Sequence, residues 1–365
     1  MFSEKDLQVL LDYSAESQIL SVYLNTDPTK TSTEAAKLKL RNALKTIDLP
    51  EDIQAVEDYV NLEYDWSAKG LVVFSSKKEG LFEAHQFNLP VPTRVFVGER
   101  PMLRPLIRLI DTFTGWSVAL VDMQGARFSS FDFGELDKSR SVSGEEVKQA
   151  KRGGGNAMPG RMGGADASGK IENIIDQNIK EVIDIAVDFF TKHRIRRIMI
   201  GGTEENIARF REALPKSWQS LVVGQFPMHM NASDSEVLAQ ATEEALAAQQ
   251  KQTRALVTQA ITQAAKGGQG VIGLIDTLNA IHEGRLKTLL VSQEYEEHGF
   301  RCKGCGYLSG QRLDSCPFCG AQFEEIDTAV EMAVRQALRN SAEVKVVVDD
   351  EHLAKAGNIA GILRY

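Results

Sequence analysis

Lys151–Lys170 reads KRGGGNAMPGRMGGADASGK, a glycine-rich basic stretch with no hydrophobic period. Consecutive glycines lose the most backbone entropy on folding, so the triplet Gly153–Gly155 favours a loop. The next segment, Ile171 to about His193, has apolar residues at three- and four-residue intervals, which predicts a long helix. A basic loop attached to a rigid element suits insertion into a polyanionic cavity, and a plain connector is the alternative. We expect Gly153–Gly164 to be exposed and poorly ordered.

The composition is that of a globular protein, with 43% hydrophobic and 25% charged residues over 365 positions. This length predicts two or three domains, each able to bury a core. No apolar run reaches the roughly 18 residues of a membrane span, and the start, MFSEKDLQVLLDYS, has acidic residues where a secretory signal needs basic ones. We therefore expect a cytoplasmic protein with no membrane partner.

The formal net charge is −8, which argues against a protein that coats nucleic acid with its whole surface. We expect no DNA partner. Local basic patches remain compatible with this charge, because Lys138 to Lys170 contains seven Lys and Arg residues against three Asp and Glu residues.

Strand-like runs alternate with helical patterns along the whole chain, which predicts an α/β fold in three domains, 1–112, 113–252 and 253–365. The predicted strands are 19–25, 71–74, 81–87, 95–97, 117–122, 126–131, 195–200, 221–223, 288–292, 344–348 and 359–363. The predicted helices are 33–47, 51–64, 171–193, 204–214, 234–266, 272–281 and 328–338. Gly201-Gly202, after the strand IRRIMI, favours a plain turn over a ligand-binding loop.

A capping box formed by Ser233 and Glu236 predicts where the longest helix begins. Its length suggests a bridge between two domains. Gly267-Gly268-Gln269 follows the helix, and the two glycines are typical of a helix stop.

All four cysteines lie in two C-x-x-C-G motifs ten residues apart, at Cys302, Cys305, Cys316 and Cys319. A two-residue spacing lets one tight turn supply two thiolates to a tetrahedral zinc ion. We therefore predict a structural Zn²⁺ in a small zinc ribbon, residues 300–321, inserted in the third domain. Four thiolates leave no open coordination position, so this metal is not expected to be catalytic. A redox pair or an iron–sulfur site is the alternative.

Four features of the sequence resemble the archaeal and eukaryotic class I peptide release factors, Pelota and their bacterial homologues. The C-terminal GNIAGILRY (Gly357–Tyr365) resembles the end of these factors, and the cysteine motifs after TLLVS resemble the mini-domain of their third domain. The loop Arg152–Gly155, followed by a long helix and IMIGG, resembles their middle domain. PMLRPLIRL (Pro101–Leu109), running into SVALVD, resembles the bacterial branch. The resemblance covers roughly 113–365.

The resemblance implies a factor that occupies the ribosomal A site and contacts rRNA, with a translational GTPase as a possible partner. Its expected ribosome-binding residues are those of the basic loop: Lys151, Arg152, Gly153, Gly154, Gly155, Asn156 and Arg161. In release factors this loop carries Gly-Gly-Gln, whose glutamine orients water at the peptidyl-tRNA ester. Here Gly155 or Asn156 takes that position, and Asn156 is the one catalytic candidate.

The release factors' NIKS decoding motif is also missing from residues 1–112. We therefore expect ribosome rescue or hibernation by binding, without stop-codon reading and without enzymatic activity. The alternatives are an active peptidyl-tRNA hydrolase and an RNA- or protein-binding adaptor that acts away from the ribosome.

Overall fold

The structure is a computed structural model that describes Phe2, residues 4–143 and residues 164–365. These residues form two compact units, the first from 1–111 with 250–365 and the second from 112–249. The predicted α/β class is confirmed, since each unit combines helices with mixed or antiparallel sheets. The division into three domains stays a prediction. None of the described helices is both long enough and apolar enough to span a membrane.

The N-terminal segment of the first unit forms an antiparallel sheet of four strands with helices packed on it. Its elements are α1 Glu4–Asp12, β1 Ile19–Asn25, α2 Thr33–Leu44, α3 Pro50–Asp58, β2 Gly70–Ser76, β3 Leu81–Phe87, β4 Arg94–Gly98 and α4 Arg104–Phe113. The strand order is β3-β2-β1-β4. Apolar residues of β1 and β2 pack against Ala36, Leu40 and Leu44 of α2, whereas Leu38 on the same helix is 59% exposed.

Helix α4 is not among the helices predicted from the sequence. Pro105 is the second residue of α4. In the first turn of a helix, the backbone N–H that proline lacks would have no intrahelical partner anyway. The proline therefore starts this helix instead of preventing it.

The second unit is built on one five-stranded sheet of order β7-β6-β5-β8-β9. Its elements are β5 Trp116–Val121, β6 Gly125–Asp132, β7 Glu135–Ser143, α5 Gly164–Lys192, β8 Arg197–Gly202, α6 Glu204–Ala213, α7 Lys216–Gln219 and β9 Val222–Pro227. Strands β5 and β6 form the predicted antiparallel hairpin, whereas β5, β8 and β9 are parallel. The side chains of α5 are described from residue 174, and those from Val182 to Phe190 form one core with Phe128 and Phe210.

The prediction of a turn at Gly201-Gly202 is wrong, because both glycines are the last residues of β8. Gly201 pairs with Leu120 and Gly202 with Val121 in the parallel ladder. A Cβ on Gly201 would lie 2.5 Å from Cδ2 of Leu120, and one on Gly202 would lie 2.6 Å from the carbonyl oxygen of Val121. The glycines therefore allow close packing at this end of the sheet.

The C-terminal part of the first unit contains a four-stranded sheet and a small three-stranded ribbon. Its elements are α8 Asp234–Ala265, β10 Gly270–Ile272, α9 Leu274–His282, β11 Leu286–Ser292, β12 Gly299–Cys302, β13 Leu308–Ser309, β14 Phe323–Ile326, α10 Ala329–Arg339, β15 Glu343–Val347, α11 Glu351–Lys355 and β16 Ile359–Leu363. Helix α8 begins in the second unit. The sheet has the order β10-β16-β11-β15, and the ribbon has the order β13-β12-β14.

The capping box at the start of α8 is confirmed. The Glu236 carboxylate accepts a hydrogen bond from the Ser233 N–H at 2.8 Å, and the Ser233 hydroxyl accepts one from the Glu236 N–H at 3.3 Å. The hydrogen bonds from Ser233 lower the pKa of Glu236.

Three buried charged residues connect residues 1–111 with residues 250–365 inside the first unit. Arg104, Glu331 and Arg335 are each at most 2% exposed. The guanidinium of Arg335 donates to the carbonyl oxygens of Leu10 at 2.9 Å and Pro101 at 2.6 Å. Burial lowers the pKa of Arg335. A buried charge is tolerated only when it is paired and hydrogen-bonded, so this cluster depends on all of its contacts.

Candidate functional site

The four cysteines predicted as metal ligands converge on one point. Their sulfur atoms all lie within 4.8 Å of one another. The Sγ atoms of Cys302 and Cys319 are 3.4 Å apart, and those of Cys305 and Cys316 are 3.6 Å apart. These separations are far longer than the roughly 2.05 Å of a disulfide. They are close to the roughly 3.8 Å between sulfurs that surround a tetrahedral zinc ion at about 2.3 Å.

Each pair of cysteines is held by a tight turn that ends in a glycine. Gly306 donates its N–H to the Cys302 carbonyl at 3.0 Å, and Gly320 donates to the Cys316 carbonyl at 2.9 Å. Both glycines have left-handed φ values, 74° and 75°. A residue with a Cβ would be strained there, which explains the glycine after each C-x-x-C motif.

The backbone around Cys302 favours its thiolate form. Backbone N–H groups at Cys305 and Gly304 point toward the Cys302 sulfur and lower the pKa of Cys302 to about 6. Four negative charges this close together would repel one another strongly unless a cation lay between them. The donor set therefore fits a soft divalent metal ion such as zinc, and all four positions would be filled by protein.

The ribbon is fixed to the rest of its unit by polar and aromatic contacts. The hydroxyl of Tyr307 donates to the side-chain oxygen of Asn279 on α9 at 2.6 Å, and Gln336 on α10 donates to the Gly306 carbonyl at 2.6 Å. The rings of Phe318 and His282 lie 4.3 Å apart. These contacts anchor the ribbon that carries the four cysteines to α9 and α10.

The predicted ribosome-binding loop lies outside the described residues, and this includes Lys151, Arg152, Gly153, Gly154, Gly155, Asn156 and Arg161. The expected exposure and poor order of Gly153–Gly164 is therefore not tested, except that Gly164 is the first residue of α5. The helix begins before the predicted Ile171, in a stretch where Ala165 and Ala167 are strong helix formers.

The literal Gly-Gly-Gln sequence at 267–269 is confirmed as a helix stop. Gly267 has a left-handed φ of 64° directly after α8. Its N–H donates to Ala264 at 3.1 Å, and the N–H of Gly268 donates to Gln263 at 2.8 Å. These bonds satisfy carbonyl groups at the end of the helix.

A cavity of about 880 Å³ in the second unit was missed by sequence reasoning. It lies between α6 and β9, where Glu204, Arg211, Gln225 and Phe226 contribute to its lining. Only the strand-to-helix junction at Gly202 and Thr203 could have indicated it, since ligands often bind at the carboxyl ends of parallel strands.

The fold and the cysteine cluster define an α/β protein with a ribbon-type metal-site insertion. Residues 101–246 match the family model of bacterial archaeo-eukaryotic release factor family 10. This part of the chain is therefore similar to bacterial relatives of the archaeal and eukaryotic release factors, in agreement with the resemblance seen in the sequence. No curated protein sequence matches the chain.

Solved structures of release-factor and Pelota proteins align with most or all of the chain at low identity. An archaeal translation termination factor, aRF1, is 19% identical over 99% of this chain and 96% of its own, with a TM-score of 0.27. Ribosome-bound archaeal Pelota is 13% identical over 100% and 94%, with a TM-score of 0.41. Dom34 of S. cerevisiae is 10% identical over 83% of each chain, with a TM-score of 0.40. At these TM-scores the superpositions add no functional argument to the family match.

Proposed function

We propose that this protein is a translation factor that binds the ribosomal A site and acts in ribosome rescue or hibernation, without reading stop codons. The match of residues 101–246 to a release-factor family carries this proposal. The matched region includes the basic glycine-rich loop, the helix after it and the sheet on which that helix packs.

The attachment of the basic loop supports a role in binding. Helix α5 follows the loop directly and runs for 29 residues, which corresponds to about 43 Å. Its C-terminal half is fixed in the core through Val182, Ala186 and Phe190. Arg152 and Arg161 would contact rRNA phosphate, where each neutralised phosphate releases counterions.

The identity of the loop residues favours a binder over a hydrolase. Gly155 has no side chain to hold a water molecule, and Asn156 is one methylene shorter than glutamine. Catalysis by positioning is sensitive to displacements of this size. The Gly-Gly-Gln at 267–269 closes α8 and does not stand in the loop before α5.

The partners in this proposal are the ribosome and a translational GTPase. Archaeal Pelota is described in a ribosome-bound state with ABCE1, and Dom34 is described as interacting with Hbs1. For this chain, a translational GTPase would bind the factor during delivery to the A site. The metal bound by the four cysteines would be structural zinc, which stabilises the ribbon.

The experiment is co-sedimentation of the full-length protein with ribosomes from stressed and unstressed cells, followed by imaging of the complex. We expect the factor on ribosomes with a vacant A site, with the basic loop directed toward the peptidyl-transferase region. A protein that stays in the supernatant under all conditions, or that sediments only with other RNA, would support the adaptor alternative and refute the proposal.

A further inference from the structure

The two edges of the five-stranded sheet differ in their protection against strand pairing. Edge strand β7, ELDKSRSVS, carries Glu135, Asp137, Lys138 and Arg140 within nine residues. Edge strand β9, VVGQFP, carries no charged residue; a register shift interrupts its pairing with β8 between Val222 and Gly224, and Pro227 ends it. Exposed edges commonly carry charges because their free N–H and C=O groups otherwise recruit another strand. The edge at β9 lacks this protection.

The cavity of about 880 Å³ lies beside this unprotected strand. Its volume falls within the roughly 300–1,000 Å³ range of ligand-binding sites. Ile207 and Phe226 are buried and form an apolar floor. Glutamine side chains at 219 and 225 line the walls. The cavity therefore offers an apolar base and polar walls next to a strand edge that no other described strand pairs with.

Charged side chains on the cavity face of α6 are free to meet a ligand. Glu204, Arg211 and Glu212 line the cavity, and no ion pair to another described residue is found for any of them. The adjacent Arg209, by contrast, is paired with Glu205 at 3.1 Å. Two carboxylates against one guanidinium give the cavity an acidic balance.

Gln219 also has acceptor capacity left for a ligand. Its side-chain nitrogen donates to the carbonyl oxygens of Leu214 at 2.7 Å and Glu212 at 3.3 Å. These bonds orient the amide and leave its oxygen as an acceptor on the cavity wall. A donor group of a ligand is therefore suited to this position.

We infer that β9 and the cavity form a docking site for an extended basic peptide of a partner protein, which adds to the sheet as a sixth strand. The peptide backbone pairs with the free edge of β9, which is the β-augmentation mode of recognition. Alternate side chains of the peptide point toward α6, where Lys or Arg meets Glu204 and Glu212. The six residues of β9 accommodate a partner strand of about 20 Å. The site uses residues between Gly202 and Pro227 and does not depend on the function proposed above.

The test uses the full-length protein and a fluorescein-labelled six-residue peptide of alternating Val and Lys, with binding measured by anisotropy. The first control peptide has Glu in place of Lys. The second control peptide keeps the Val-Lys sequence and carries N-methyl groups on alternate amides. We expect the Val-Lys peptide to bind and both controls to bind at least about tenfold more weakly, since each loses charge pairing or backbone hydrogen bonds. Hydrogen exchange should show protection of β9 amides and no protection of β7 amides.

Two matched charge variants separate the cavity from a general effect of surface charge. Glu204→Gln with Glu212→Gln should weaken peptide binding by roughly tenfold, while Glu205→Gln with Glu243→Gln should leave it unchanged within about twofold. Equal binding of all three peptides, or equal loss in both double variants, would refute the site. Dimerisation that protects β9 without peptide would show that a second copy of the chain occupies this edge, and would also overturn the inference.

Discussion

The Oε2 atom of Glu331 lies 3.5 Å from Nε of Arg104, and both side chains are buried. The Oε1 atom of the same carboxylate lies 3.6 Å from Nε of Arg335, one turn further along α10. It also accepts a hydrogen bond from the backbone N–H of Leu103 at 3.2 Å. One carboxylate thus balances two buried guanidinium groups that hold segments from both ends of the chain.

Glu331→Gln is expected to lower the free energy of unfolding of the first unit by about 3 kcal/mol, because it removes the buried counter-charge of Arg335 and leaves Arg104 only the exposed Glu296 carboxylate at 3.8 Å. The control is Glu283→Gln, which removes a partly exposed ion pair with Arg285 and should cost less than about 1 kcal/mol. Urea denaturation, with hydrogen exchange to assign the transition to this unit, measures both. Equal losses in the two variants would show that the buried carboxylate contributes no more than a surface pair.

The protein purified without added metal is expected to contain about one zinc ion per chain, with Zn–S distances near 2.3 Å. Elemental analysis and X-ray absorption measure these quantities. Lowering the pH should release the metal, because protonation of the thiolates competes with coordination. Cys316→Ser should reduce zinc retention, while Ser309→Ala in the same ribbon should retain it. Iron, or a disulfide without metal, would contradict the prediction.

Arg152→Ala with Arg161→Ala is expected to weaken ribosome binding and to flatten its dependence on salt, because fewer counterions are released. The control is Lys251→Ala with Arg254→Ala, which removes two exposed charges from α8. Sedimentation over a range of salt concentrations gives the slope for each variant. If the salt dependence of ribosome binding were unchanged in the loop variant, the loop would not be part of the ribosome interface.

Stable ribosome binding without appreciable release of peptide from peptidyl-tRNA is expected for the wild-type protein, because no glutamine stands in the basic loop to position water. The assay compares wild type, Asn156→Ala and Gln269→Ala on stalled ribosomes. Fast release that is abolished by Asn156→Ala would establish the hydrolase alternative. Fast release that only Gln269→Ala abolishes would show that the catalytic loop is the one after α8.

Local signals in the sequence predicted local structure well. The spacing of the cysteines predicted that all four sulfur atoms lie close together, and Ser233 with Glu236 predicted the start of α8. Gly267 predicted its end. These features depend on hydrogen bonds between residues that are close in the chain, so the sequence alone determines them.

Only the tertiary structure decided the features that depend on distant partners. The charges of Arg104 and Glu331 are typical of surface residues until the fold brings them together in a buried site. Two successive glycines, as at Gly201, are typical of a turn. In the fold, however, Gly201 pairs with Leu120 and belongs to a strand. The edge position of β9, and the cavity beside it, follow from the order of strands in the sheet. Strand order depends on long-range pairing, which residue pattern and spacing along the chain do not specify.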